Sequence, residues 1–189
     1  MAQGAYLANL YASANGHQWH NNFAWGSQRN LCQWYGVYCN CTLAQMRECE
    51  LKIDLSSNGL TGILPDLREN RFVRDNRTYI VSALSVHNNQ LSGTIPSTFH
   101  THVALNKTLH IDLSFNQLVG TVPVLSSLSP ANEDILLDLR HNKLSGSLQV
   151  GNVAVQKFDV KNFLPQSNDG NQFDCPISEL ETSRPFILW

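Results

Sequence analysis

The sequence predicts an α/β solenoid in which short parallel strands stack turn upon turn behind a helical, disulfide-bonded cap. Three observations predict it. Four stretches superpose without a gap: Glu50–Pro65, Val81–Pro96, Thr108–Pro123 and Asp134–Gln149. Each places an asparagine at its ninth position: Asn58, Asn89, Asn116 and Asn142. Four of the five cysteines, Cys32, Cys39, Cys41 and Cys49, crowd in front of the first stretch.

Around each asparagine the apolar residues recur at fixed offsets. Five before it stand Ile53, Leu84, Ile111 and Leu137; three before, Leu55, Val86, Leu113 and Leu139; two after, Leu60, Leu91, Leu118 and Leu144. Alternation of apolar and polar residues before the asparagine is strand period, with one face buried and one wet. Such a unit cannot bury its apolar face alone, so neighbouring turns must stack into one core. The asparagine sits where the chain bends and leaves backbone groups unpaired. A carboxamide both donates and accepts, so a column of them satisfies groups that would otherwise cost about 1–3 kcal/mol each. Four after each asparagine comes a glycine, Gly62, Gly93, Gly120 and Gly146, and Pro65, Pro96 and Pro123 end regular pairing in the first three turns. The asparagines are 31, 27, 26 and then 29 residues apart, if Asn171 belongs to the ladder. The excess length goes into surface loops. A degenerate fifth turn begins near Phe158.

Composition bounds the rest. With 42% hydrophobic and 15% charged residues the chain is too apolar for disorder, and a formal charge of −2 gives no general attraction to nucleic acid or anionic membrane. No apolar run approaches the roughly 20 residues of a membrane span. Met1–Leu10 has neither a basic region nor a long apolar core, so it does not read as a secretory signal. The cysteine gaps fit zinc pairs badly and two local disulfides better, which implies an oxidising compartment; three connectivities are open for four cysteines. Cys175 has no evident partner, so the chain reads as a fragment. The first residues read as a helix, with Ala5, Leu7, Leu10, Tyr11 and Ala14 as its apolar stripe, ending near Asn15–Gly16. Trp19, Trp25 and Trp34 follow and read as cap core rather than ligand platform.

The repeated pattern resembles the plant-type leucine-rich repeat, LxxLxLxxNxLxGxIP; the fourth stretch departs from it with Gln149 in place of proline. The resemblance implies a right-handed solenoid with a parallel sheet on its concave face and irregular or 3₁₀ segments on its convex side. The segment Cys32–Cys39 resembles the CxWxGVxC cap of such domains. By that resemblance Cys32 pairs with Cys39, leaving Cys41 with Cys49. The expected organisation is a cap over residues 1–49, four repeats over 50–157, and a fifth degenerate repeat with a C-terminal cap over 158–189, all in one domain.

The residues two, four and six before each asparagine point outward from the sheet. Four before, Asp54, Ser85, Asp112 and Asp138, continued by Asp159 if Phe163 fills the asparagine slot, form either an acidic strip for a basic ligand or simply the repeat consensus. Positions off consensus are the ligand-binding candidates: Phe115, His87, His110, Arg140, His141, Leu136 and Lys161. Phe115 is the best anchor, a large apolar residue where serine or asparagine is usual. Five strands about 4.8 Å apart with about 10 Å of exposed height give only some 240 Å², against about 800 Å² per partner in a standard interface. The ligand is therefore small, or flanking loops contribute. Arg68, Arg71, Arg74 and Arg77 recur every third residue, which would align them on a 3₁₀-like turn as an anion-binding stripe or a solvated convex face. Asn40, Asn76 and Asn106 open sequons that would permit glycosylation.

No phosphate loop, HExxH or GxSxG is present, and no cofactor or metal is implied. The chain is read as a non-catalytic extracellular binding module for a protein, peptide or glycan, a monomer in isolation, with any signal or membrane anchor outside it. The alternatives are a structural or adhesive coat protein, and the ectodomain of a receptor kinase whose catalytic domain lies elsewhere.

Overall fold

The computed structural model describes residues 5–41, 48–65, 71–97, 109–123, 135–147, 158–160 and 170–174. The chain opens with helix α1 (Ala5–Ser13). Leu7, Leu10 and Ala14 bury its inner stripe together with Tyr6, whose phenol is pushed above its usual pKa by burial. Asn15 then adopts left-handed backbone (φ 54°) and ends the helix. The indole of Trp19 donates to Ala14 O at 2.8 Å. Trp19, Trp25 and Trp34 are buried and pack in sequence, with ring centroids 5.0 Å and 5.1 Å apart. The cap is covalently closed by Cys32–Cys39 and Cys41–Cys49.

The cap hands over to the repeats through a sheet. Strand β1 (Val37–Cys41) pairs antiparallel with β2 (Glu48–Asp54) and forms one edge of the sheet. From β2 the order is β4 (Arg77–Ser85), β5 (Leu109–Asp112), β7 (Ile135–Asp138) and β9 (Phe158–Val160), all parallel. The register aligns Asp54, Ser85, Asp112 and Asp138 in one column, and Lys52, Ala83, His110 and Leu136 in the next. Behind the strands lie Ile53, Leu84, Ile111 and Leu137, then Leu55, Val86, Leu113 and Leu139, then Leu60, Leu91, Leu118 and Leu144, all buried. The three apolar offsets of the repeat are thus three rows of one core.

Three expectations need correction. The arginine stripe is not a 3₁₀ turn. Strand β3 (Arg71–Arg74) folds back antiparallel on the start of β4, through a two-residue turn at Asp75 and Asn76, both at positive φ, the geometry that matches strand twist. The stacked rings of Phe72 and Tyr79, both buried, hold the hairpin down. In strands, residues three apart face opposite ways, so Arg71 and Arg74 diverge. Arg71 pairs with Glu48 (3.2 Å), whereas Arg74 reaches back to the carbonyls of Ser27 and Arg29 and lies over the Trp34 ring. Arg68 lies outside the described residues.

The second correction concerns the side expected to be irregular. After each bend the chain forms a second parallel ladder: β6 (Val119–Gly120), β8 (Lys143–Gly146) and β10 (Gln172–Phe173), extended by bridges Ile63–Ser92 and Thr94–Val119. Glycine is required there. Gly120 has φ 79°, and a Cβ on it would stand 3.0 Å from Thr94 Cγ2 of the preceding turn. Third, Asp159 pairs with Leu136 rather than Asp138. It therefore continues the His110 column, not the aspartate column, because the chain inserts residues between β9 and its rung.

Candidate functional site

The interior of the bend is built by asparagine. Asn116 Nδ2 donates to Val86 O of the preceding turn (2.9 Å) and to Leu113 O of its own (3.1 Å), while its Oδ1 accepts from Leu91 N (3.0 Å). Asn142 repeats this one turn later with Leu113 O, Leu139 O and Leu118 N. Asn89 does so with Leu55 O, Val86 O and Leu60 N. Asn171 continues the row, donating to Leu139 O (2.7 Å) and accepting from Leu144 N (3.0 Å); the next rung after Asn142 is therefore Asn171. Asn58 has no repeat in front of it and grips the cap instead, accepting from Asn21 N and donating to Asn21 O.

The residue just before each of the first four rungs is forced into left-handed backbone: Ser57 (φ 53°), Asn88 (53°), Phe115 (54°) and His141 (51°). Backbone pairing runs through it from turn to turn, from Ser57 N to His87 O, Asn88 N to Ser114 O and Phe115 N to Arg140 O. The four side chains therefore form an outward row at strand spacing. Asn88 Nδ2 donates to Ser57 Oγ (2.9 Å). Phe115, 40% exposed, stacks on His141 with centroids 4.1 Å apart and meets His87 edge-on at 5.1 Å. Two of the sequence-derived candidates thus flank the third. Two residues further along, Gln90, Gln117 and Lys143 form a second exposed row. What the sequence did not reveal is the shared left-handed backbone; Ser57 and Asn88, residue types common in turns, carry the faint signal of it.

Beside the row, Lys52, Asp54, Ser85, His110, Asp112 and Asp138 line a shallow groove of about 370 Å³ on the strand face. Its aspartates have a local task. Asp54, Asp112 and Asp138 each accept the backbone N–H two residues on, at 3.0–3.1 Å, an Asx turn that starts the bend. Ser85, in the same column, hydrogen-bonds the Ser56 hydroxyl instead (2.8 Å). Asp138 is also ion-paired with Arg140. Ser114 lies in an outward column yet is fully buried. Its hydroxyl donates to Asp112 Oδ1 (2.5 Å), which leaves Ser114 Oγ to accept from His87 Nδ1 (2.8 Å). In an activated serine the imidazole stands between hydroxyl and carboxylate; here the hydroxyl stands in the middle, and the chain of bonds serves to orient His87.

His110 is exposed at the groove. The Leu136 side chain, Lys161, Asn106 and Cys175 lie outside the described residues. Asn40 is exposed on β1 and Asn76 at the hairpin tip. Among the described residues no helix is long and apolar enough to cross a membrane.

A family model for the leucine-rich repeat matches residues 81–101, which hold the end of β4 and the Asn89 rung. The chain carries a leucine-rich repeat. No curated protein matches the chain at significant similarity. Solved structures similar to it include the leucine-rich-repeat ectodomain of the Arabidopsis receptor kinase HAESA in complex with an extended IDA peptide hormone. That likeness has 25% identity and a TM-score of 0.47, and covers 75% of this chain and 23% of that one. The chain thus spans about a quarter of the HAESA ectodomain. Others are the BIR3–SERK2 complex of Arabidopsis thaliana (22% identity, TM-score 0.46, covering 89% and 91% of the two chains) and the BIR2 ectodomain of the same plant (22%, 0.42, 75% and 81%).

Proposed function

We propose that this leucine-rich-repeat chain is a non-catalytic, extracellular binding module, a solenoid that holds its ligand on the row Ser57–Asn88–Phe115–His141 and the adjoining strand face. The observation that carries this reading is Phe115. Left-handed backbone costs an ordinary L-residue about 1–2 kcal/mol, and a bulky side chain there is an outlier. The stack on His141 offsets part of that cost, yet the ring remains exposed, where a fold gains little from it. A strained, exposed aromatic at a position that serine and asparagine fill in the preceding turns has a rationale in recognition.

His87, His110, Arg140 and His141 are the flanking contacts in this reading. The two disulfides favour an oxidising compartment, and glycans on Asn40, Asn76 or Asn106 are compatible with it. The test is a panel of secreted peptides and of oligosaccharides passed over the immobilised protein. Binders are expected, and Phe115→Ala should weaken them at least tenfold, about 1.4 kcal/mol, with the circular dichroism spectrum unchanged. Binding of equal strength in the variant, or no binder at all, contradicts the assignment.

A further inference from the structure

Resting on that reading, the chemistry of the surface narrows the ligand class: we infer that the row binds a neutral, linear glycan of flat sugar rings, one ring per turn. Charge argues first. Asp54 and Asp112 each spend an oxygen on a bend N–H, Asp112 takes the Ser114 hydroxyl as well, and Asp138 is ion-paired with Arg140. Lys52 stands two residues from Asp54 on the same strand face. The three aspartates are thus set against Lys52 and Arg140, with Lys143 exposed in the adjoining row, so this surface offers little to a strongly basic or acidic peptide.

The rows offer something else. Phe115 presents an apolar ring stacked on one face by His141 and met edge-on by His87, and its neighbours on the exposed rim are mostly carboxamides and hydroxyls, Ser57, Asn88, Gln90 and Gln117, with Lys143 one turn further on. A carboxamide donates and accepts at once, as each sugar hydroxyl does, and an aromatic ring accepts the apolar C–H face of a pyranose. Spacing agrees. Successive turns carry equivalent side chains about 4.8 Å apart, close to the length of one sugar ring in an extended, equatorially linked chain. A repeating ligand can thus meet a repeating surface in register, with the Phe115 turn as the stacking subsite and the turns on either side supplying hydrogen bonds.

Cellotetraose, a neutral β-linked tetrasaccharide, is the probe, titrated into the intact protein by isothermal calorimetry and by NMR of the Phe115 and His141 ring protons. The inference expects ring-proton shifts, affinity nearly independent of salt between 50 and 500 mM, and at least tenfold weakening by Phe115→Ala and several-fold by Gln117→Ala. Tyr38→Ala, on the exposed cap strand, should leave it unchanged. Cellotetraose binding that ignores Phe115→Ala overturns the inference, as does preference for a galacturonate tetramer with strong salt dependence, since Lys143 would then dominate. If cellotetraose fails while a peptide from the panel binds and loses affinity in Phe115→Ala, the glycan inference falls and the binding-module reading stands. If nothing binds, both fall.

Discussion

Two rows of side chains lie one residue apart along this chain and obey opposite rules. The rung row, Asn58, Asn89, Asn116 and Asn142, is the same residue at every turn, buried at three of them and half-buried at Asn89, and hydrogen-bonded to the backbone throughout. The row before it, Ser57, Asn88, Phe115 and His141, changes at every turn, faces out, and shares only a positive φ. The fold dictates backbone in both rows but dictates side chain only in the first. Inside, a missing donor or acceptor leaves backbone groups dry; outside, water replaces any partner. The second row is thus where a repeat scaffold can vary without losing its core, and where Phe115 accepts strain.

Substitutions can break or sharpen that contrast. The largest effect belongs to Asn116→Ala. It strands carbonyls of two turns and the Leu91 N–H, and should cost about 3 kcal/mol in urea unfolding; a loss below about 1 kcal/mol would mean that the bend is satisfied otherwise. Replacing Cys32 and Cys39 by serine opens a loop with a sequence separation of 7. It should cost about 2 kcal/mol and expose the tryptophan cluster first, read as a fluorescence red shift that precedes the main transition. Gly120→Ala should cost about 1–2 kcal/mol through its left-handed backbone and the contact with Thr94; an unchanged melt would show that the second ladder yields easily.

The two rows also differ in how legible they were. The rungs were readable because burial forces one residue type into one slot, so Asn58 through Asn142 repeat visibly in the sequence. The apolar offsets and the helix stripe were readable for the same reason. The left-handed row was not, because φ leaves no composition signature when four different residues adopt it; Phe115 stood out as an odd residue, but not as a strained one. The β3–β4 hairpin is written only in the Asp75–Asn76 turn and the alternation of Phe72 with Arg71 and Val73, a short signal that the regular spacing of four arginines masks. The acidic column was visible, but its bend-starting hydrogen bonds depend on backbone geometry that a residue count cannot supply.

The smallest effect is also the most direct test. Phe115→Asn and Phe115→Ala remove the same ring, the same stack on His141 and, on this account, the same ligand contact. They differ in how well the new residue tolerates φ near 54°, where asparagine is at home and alanine is not. The thermal midpoint of Phe115→Asn should therefore exceed that of Phe115→Ala by about 2–4 °C, the equivalent of about 1 kcal/mol in a chain of this size, with both variants binding at least tenfold more weakly. Equal midpoints, or a higher one for alanine, would contradict the claim that Phe115 is held in a strained backbone for the sake of recognition.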